Sequence, residues 1–306
     1  MGPTVHSEVL APPPTPPGAG ARSVAAPAPR RSHGRHGHGL ERALRLQVPL
    51  GLYLAFTLVP FYWMLVFAFR PAGSTSMVPW PITFDNFRTI WYDIGFATFF
   101  RNSSVVGLWS MALTIVLAVA GGYALARYRF RGRTAFMIVL LCTQFIPGAM
   151  MLIPLFVIFR ELHLINSLAS LVLADTVFHL PLSLILMSGF VSGVSTELEE
   201  AAMVDGCSRL RAFFAIVLPQ LWPGIIAVGS FAFIGSWNNL LFALMFMSRQ
   251  DGFTVPVGLS YTIGEYSADF GALAAGGVVA IVPVVCVFAV IQRYLVQGIS
   301  AGAVKG

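Results

Sequence analysis

The chain has 306 residues, of which 57% are hydrophobic and 10% charged, with a formal net charge of +6 and a mean hydropathy of +0.77. Soluble domains carry about a quarter charged residues, so this composition excludes one and calls for burial in lipid. The positive charge is arginine, with Lys305 the only lysine; such a balance can serve nucleic acid, but in so apolar a chain it reports topology, and no nucleic-acid partner is expected.

Residues 1–44 are rich in Pro, Ala, Gly, Arg and His, show no apolar periodic face, and are expected to form a disordered cytoplasmic tail. The stretch lacks the apolar core and small-residue cleavage site of a secretory signal, so its removal is not expected. The tract His33-Gly34-Arg35-His36-Gly37-His38 is expected to be solvated and not to hold a metal. Cys142, Cys207 and Cys286 have neither metal-ligand nor disulfide spacing and are expected to be free thiols.

Residues 45–306 contain six apolar runs, at 48–69, 104–126, 135–159, 168–191, 221–247 and 272–295. Each reaches the roughly 20 residues that a helix needs to cross the hydrocarbon layer. The expected fold is therefore an all-α integral membrane protein with six transmembrane helices in one domain, 45–306. Positive charge accumulates on the cytoplasmic side. Arg42 and Arg45 precede the first run, Arg127, Arg129, Arg131 and Arg133 follow the second, Arg209 and Arg211 follow the fourth, and Arg293 and Lys305 close the chain. Both termini are accordingly expected inside the cell, in a plasma membrane. Residues 70–103 then lie outside, with Trp80, Trp91 and Tyr92 suited to the interfacial belt.

Gln144, Pro147 and Pro154 point to an irregular third span, because proline removes a backbone donor. In the fourth run Asp175 and His179 stand four residues apart on one helical face. An ionisable group in hydrocarbon is costly and faces a partner or a cavity, so these two either pair with each other or meet a solute.

Between the fourth and fifth runs lies a polar island. Thr196 with Glu199 fits a capping box, and Glu197, Glu199 and Glu200 sit where the helix dipole favours negative charge. Gly206 falls where a left-handed C-terminal cap is needed, Ser208 can cap a second helix, and Pro219 should end that helix or turn it into the membrane. Ala201 and Ala202 leave a low surface beside Glu200. The island reads as a cytoplasmic helix-turn-helix suited to docking on a protein; the plain alternative is a solvated loop.

In the fifth run Trp237, Asn238 and Asn239 combine an aromatic face with amide donors and acceptors, the combination that sugars require; the plain alternative is hydrogen bonding between helices. With Gln144, Asp175 and His179 they are the candidate translocation pathway. The external segment 249–270 is longer than a simple connection needs and carries Phe253, Tyr261 and Tyr266, expected to be exposed for contact with a partner. No inverted internal repeat of the secondary-transporter kind is evident.

Glu200-Ala201-Ala202, three residues, Gly206, nine residues and Ile216-Val217-Leu218-Pro219 form a spacing that resembles the cytoplasmic coupling motif of permease subunits in binding-protein-dependent ABC importers. The C-terminal Gln292-Arg293-Tyr294-Leu295-Val296-Gln297-Gly298-Ile299 and Ala301–Gly306 are similar to the tail of the smaller sugar permease in the maltose-type branch. Phe84-Asp85-Asn86-Phe87, Leu164-Ile165-Asn166-Ser167 and Ser236-Trp237-Asn238-Asn239 also resemble that branch, so the likeness spans roughly 45–306.

By this resemblance Glu200, Ala201, Ala202, Asp205 and Gly206 form the coupling element, with Leu218 and Pro219 fixing its return to the membrane. Cys207 departs from the small residue common at its place. The resemblance further implies a second homologous permease forming a heterodimer, two ATPase subunits that bind ATP and Mg, and an extracytoplasmic binding protein whose sugar cleft the segment 249–270 enters. The chain itself has no GxxxxGK[ST] phosphate loop, Lys305 being followed only by Gly306, so it is expected to be a permease without enzymatic activity or cofactor, surrounded by membrane lipid. The rival reading, a secondary transporter or channel without ATP coupling, leaves the motif spacing unexplained.

Overall fold

In this computed structural model the backbone is described for residues 36–262 and 269–302, and the side chains for residues 45–262 and 269–292. The chain divides into two compact units, Met1–Ala55, whose described part is the first stretch of helix α1, and Phe56–Gly306, which carries everything after it. Helix α1 (His36–Phe69) reaches back across the boundary expected at residue 44, through the helix-forming run Leu40–Leu44; the rest of the expected tail lies outside the described residues.

The described residues form helices joined by turns and loops, with no strand among them. After α1 come the short α2 (Asp85–Arg88), the long α3 (Phe96–Arg127), the pair α4 (Arg133–Thr143) and α5 (Leu152–Glu161), and the long α6 (Leu168–Ser192). The polar island forms α7 (Thr196–Val204), α8 (Arg209–Ala212) and α9 (Leu218–Gln220). Helices α10 (Trp222–Trp237), α11 (Leu241–Phe246), α12 (Val255–Thr262) and α13 (Phe270–Gly302) complete the chain.

Among the described residues four helices are long and apolar enough to cross a membrane: Arg45–Phe69, Phe96–Arg127, Leu168–Ser192 and Phe270–Gln292. The third and fifth expected runs are instead bent pairs, Arg133–Thr143 with Gly148–Glu161 at 95°, and Arg209–Gln220 with Trp222–Trp237 at 72°. The count is thus four to six. The third run breaks at Pro147, which opens a tight turn over Gly148–Met151 and bars the preceding residue from helical geometry. Pro154 falls in the first turn of α5, where its missing N–H costs nothing. The fifth run, expected as one helix over 221–247, ends at Trp237 and restarts at Leu241.

Helices α3 and α6 form the centre, packed along each other and against α10. One core gathers near the start of α3, around Phe96, Phe99, Phe246 and Trp237. A second gathers near its end, around Ala118, Met187, Val191, Val217 and Leu221. By contrast, large apolar side chains such as Val282, Val285 and Phe288 of α13 stay exposed on the single chain, as befits surface meant for lipid or another membrane subunit.

Asparagines close the connections. Asn86 Nδ2 donates to the carbonyls of Phe67, Ala68 and Arg70 at 3.2, 2.9 and 3.0 Å, satisfying the end of α1, where backbone acceptors lose their intrahelical partners. Asn166 Oδ1 accepts from the backbone N–H and hydroxyl of Ser248 at 2.7 and 3.0 Å. Replacing Asn86 with Leu is expected to lower stability by about 1–3 kcal/mol, the cost of stranding buried acceptors, read as a lower melting temperature of the detergent-solubilised protein. An unchanged melting curve would show the cap to be idle.

Candidate functional site

Helix α7 starts with Ser195 as its N-cap, whose hydroxyl accepts from the Glu197 N–H at 3.2 Å. The expected capping box of Thr196 with Glu199 does not form. Glu199 is buried to 7% exposure and turns to α3 instead: Arg127 Nε donates to its Oε1 at 2.5 Å and Tyr123 Oη to its Oε2 at 2.9 Å. With the N-cap already filled by Ser195, the carboxylate gains more from a charged partner than from a backbone N–H.

The other end of α7 closes as expected. Gly206 has φ +90°, its N–H donates to Met203 O at 3.1 Å, and the Cys207 N–H donates to Ala202 O at 2.9 Å. These two bonds form a Schellman cap, which needs a left-handed residue between them. Ser208 then caps α8, accepting from the Arg211 N–H at 3.4 Å. Leu218 and Pro219 open α9, and the chain bends at the fully buried Leu221.

Glu200, Ala201, Asp205 and Gly206 are exposed on this motif, whereas Ala202 is turned inward. Around them stand apolar side chains that sequence reading did not single out: Val204 at 87% exposure, with Leu198, Leu210 and Phe214 also exposed. A small surface mixing carboxylates with uncovered aliphatic groups is suited to a protein partner. The signal was present in the sequence, since Val204 lies one residue from the turn.

The polar residues of the spans are arranged differently from either expectation. Asp175, 2% exposed, does not pair with His179: its carboxylate accepts from Ser236 Oγ at 2.6 Å and from Asn239 Nδ2 at 2.5 Å. Asn239 Oδ1 in turn accepts from the Phe242 N–H at 3.2 Å, so one amide joins α6 to the start of α11 across the break. His179 Nε2 is buried without a hydrogen-bond partner. Its ring lies edge-on to Phe231 at 5.2 Å and over Gly235, where any Cβ would collide with it.

Trp237 is also turned inward. It is 3% exposed, stacks on Phe233, meets Phe100 edge-on, and donates Nε1–H to Ala280 O at 3.2 Å. A ring enclosed within its own subunit offers no face to a sugar, so that part of the pathway expectation is corrected. Asn238 is exposed but donates Nδ2 to Ile234 O at 2.9 Å, within its own helix. Gln144 is exposed at the bend of the third span, beside a cavity of about 240 Å³ lined also by Thr143, Met151, Leu155, Phe178 and Pro181. The structure therefore brings Asp175 and Asn239 together and leaves Gln144 and Asn238 apart from them.

The described part of the segment 249–270 is not a simple loop. A tight turn at Gln250–Gly252 leads into α12, whose Val255, Val257 and Gly258 are buried. Asn102 of α3 donates to Asp251 O and Phe253 O at 2.8 and 3.0 Å. Phe253, expected to be exposed, is 7% exposed and lies between Phe99 and Tyr261. Tyr261 is open to 64%; Tyr266 lies outside the described residues. Since α12 packs at the start of α3 and α7 is held at its end, the two segments are separated by a helix of 32 residues, about 48 Å at 1.5 Å per residue.

Comparison with known proteins places these features in a wider setting. A family model described as "Binding-protein-dependent transport system inner membrane component" matches residues 115–301, which include α7 and its Schellman turn. The diacetylchitobiose uptake system permease protein DasC of Streptomyces coelicolor is 36% identical over 252 residues, 81% of this chain and 91% of that protein. The trehalose transport system permease protein SugB of Mycobacterium tuberculosis is 30% identical over 273 residues, 88% of this chain and 100% of that protein. The arabinooligosaccharides transport system permease protein AraQ of Halalkalibacterium halodurans is 34% identical over 263 residues, 83% of this chain and 94% of that protein. Among solved structures, a bacterial ABC transporter involved in the import of the acidic polysaccharide alginate superposes with a TM-score of 0.72 at 23% identity, covering 84% of this chain and 96% of that one.

Proposed function

Because this chain belongs to the family of inner-membrane components of binding-protein-dependent transport systems, we propose that it pairs with a second, related permease and is driven through α7 by two ATPase subunits. It is a membrane permease subunit of an ATP-driven importer, and its curated relatives are sugar permeases. We place α7 and both termini on the cytoplasmic side, as the arginine distribution requires. The binding protein and α12 lie on the other side. The single observation that carries this reading is the α7 surface: a helix closed by Gly206 that presents Glu200, Asp205 and Val204 outward.

In this mechanism the chain performs no chemistry. ATP and Mg are held by the partner motors, whose closure draws the coupling helices together and rotates the spans, opening the pathway toward the docked binding protein. Asn238 and Gln144 are the residues we assign to the solute path. Asp175 and Asn239 hold the break in the fifth span from behind it.

The solute class is a sugar or sugar-like molecule. The test is the ATPase rate of the reconstituted complex with its binding protein, screened against diacetylchitobiose, trehalose and arabinooligosaccharides. Stimulation by one of them supports the reading; a complex that assembles with no ATPase subunit would overturn it. Tyr261→Ala is expected to weaken stimulation by the binding protein several-fold, since truncating an exposed aromatic anchor often costs more than 1 kcal/mol at an interface, without changing the basal rate. An unchanged dependence on binding-protein concentration would remove Tyr261 from the docking surface.

A further inference from the structure

Both arms of the α7 motif are held by side chains of α3, a helix far from them in sequence. Arg127, the last residue of α3, donates Nε to Glu199 and a terminal nitrogen to Val194 O at 2.8 Å. One guanidinium thus grips both the body of α7 and the turn that leads into it. Tyr123, one helical turn earlier, donates to the other Glu199 oxygen, so both carboxylate oxygens are taken by α3. The Tyr123 ring also lies edge-on to Phe213 at 4.8 Å, in the second arm of the motif.

The tie is enclosed, with 11% and 9% side-chain exposure at Arg127 and Glu199, so water does not compete strongly for either charge. Beside the chain connections at 193–195 and at Leu221, and the packing of α7 on the second arm of its own motif, the tie links α7 to α3 by side-chain hydrogen bonds. With it, displacement of α7 passes directly into α3, which runs from this end of the bundle to the helix α12.

Resting on the reading of α7 as the coupling helix, we propose that Arg127 and Tyr123 are positioning residues that make α7 and α3 move as one body, delivering the motor's stroke to the second span. The tie transmits position and carries out no chemistry.

The experiment places nitroxide labels at Val204→Cys on α7 and Val116→Cys on α3, both exposed, with Cys142, Cys207 and Cys286 changed to Ser. The full complex, in lipid nanodiscs, is measured by pulsed electron paramagnetic resonance with and without Mg and a non-hydrolysable ATP analogue. With the native tie, the distance between labels is expected to be the same in both nucleotide states. In Arg127→Gln and in Tyr123→Phe, nucleotide is expected to shift or split it, while Arg127→Lys retains more of the native behaviour. Distances that ignore nucleotide in both variants would overturn the proposal. Should Arg127→Gln fail to assemble, Tyr123→Phe decides alone, since it removes one hydroxyl and leaves the ring on Phe213. The mobility of the Val204 label separates the two levels of argument. Immobilisation on adding the ATPase upholds the docking of α7, and invariant distances then sink only the tie; a label that stays mobile in the assembled complex sinks both.

Discussion

Glu200→Lys and Gly206→Val are each expected to lower uptake by about tenfold or more while membrane insertion persists, the size of a lost coupling free energy of one to a few kcal/mol. Glu200 is exposed beside Val204 and Asp205, so reversing its charge changes the docking surface and leaves the fold of the subunit alone. Gly206 acts differently. Nothing lies within 4 Å of where its Cβ would stand, so valine would meet no clash; the damage comes from forcing a β-branched residue to φ +90°, which costs on the order of 1–3 kcal/mol. Gly206→Asn is the matched control, because asparagine tolerates the left-handed region, and should keep most of the activity. The measurements are solute uptake by proteoliposomes and the ATPase rate of the same complex. Wild-type uptake by both disruptive variants would dismiss α7 as the coupling element.

Asn239→Leu is expected to be the most destabilising single change among the polar residues of the spans. It strips one of the two side-chain donors from the Asp175 carboxyl and leaves that group buried and undersupplied; breaking such an arrangement costs about 3 kcal/mol or more. A fall in melting temperature on the order of 5–10 °C should follow. Asp175→Leu combined with Asn239→Leu should be less damaging than Asn239→Leu alone, since a fully apolar replacement leaves no stranded carboxyl. A double variant that simply adds the two single effects would show that the residues do not act on each other.

The parts of this protein legible in its sequence are those governed by neighbours a few residues apart. Apolar runs long enough for a bilayer marked where the membrane helices lie. Gly206 and Ser208 announced the turn because a left-handed cap and a hydroxyl cap each act over one helical turn. Pro147 announced a disturbed third span in the same way, though not a 95° bend. Even Val204 could have been noticed, as an aliphatic residue beside a polar turn.

What only the tertiary structure decided is the partner of every group whose local options were several. Glu199 had a local cap available at Thr196 and took Arg127, 72 residues away. Asp175 had His179 one turn along its own helix and took Asn239, 64 residues away. Phe253 reads from the sequence as an exposed aromatic and Trp237 as a face for a solute, yet Asn102, 151 residues from Phe253, and Ala280, 43 residues from Trp237, help fix them inside the bundle. The physical reason is the same throughout. Hydropathy and capping are short-range and additive along the chain, whereas the choice among hydrogen-bond partners depends on which side chains the packing of α3, α6 and α10 brings within 3 Å, and on the penalty of leaving any of them unpaired in a medium without water.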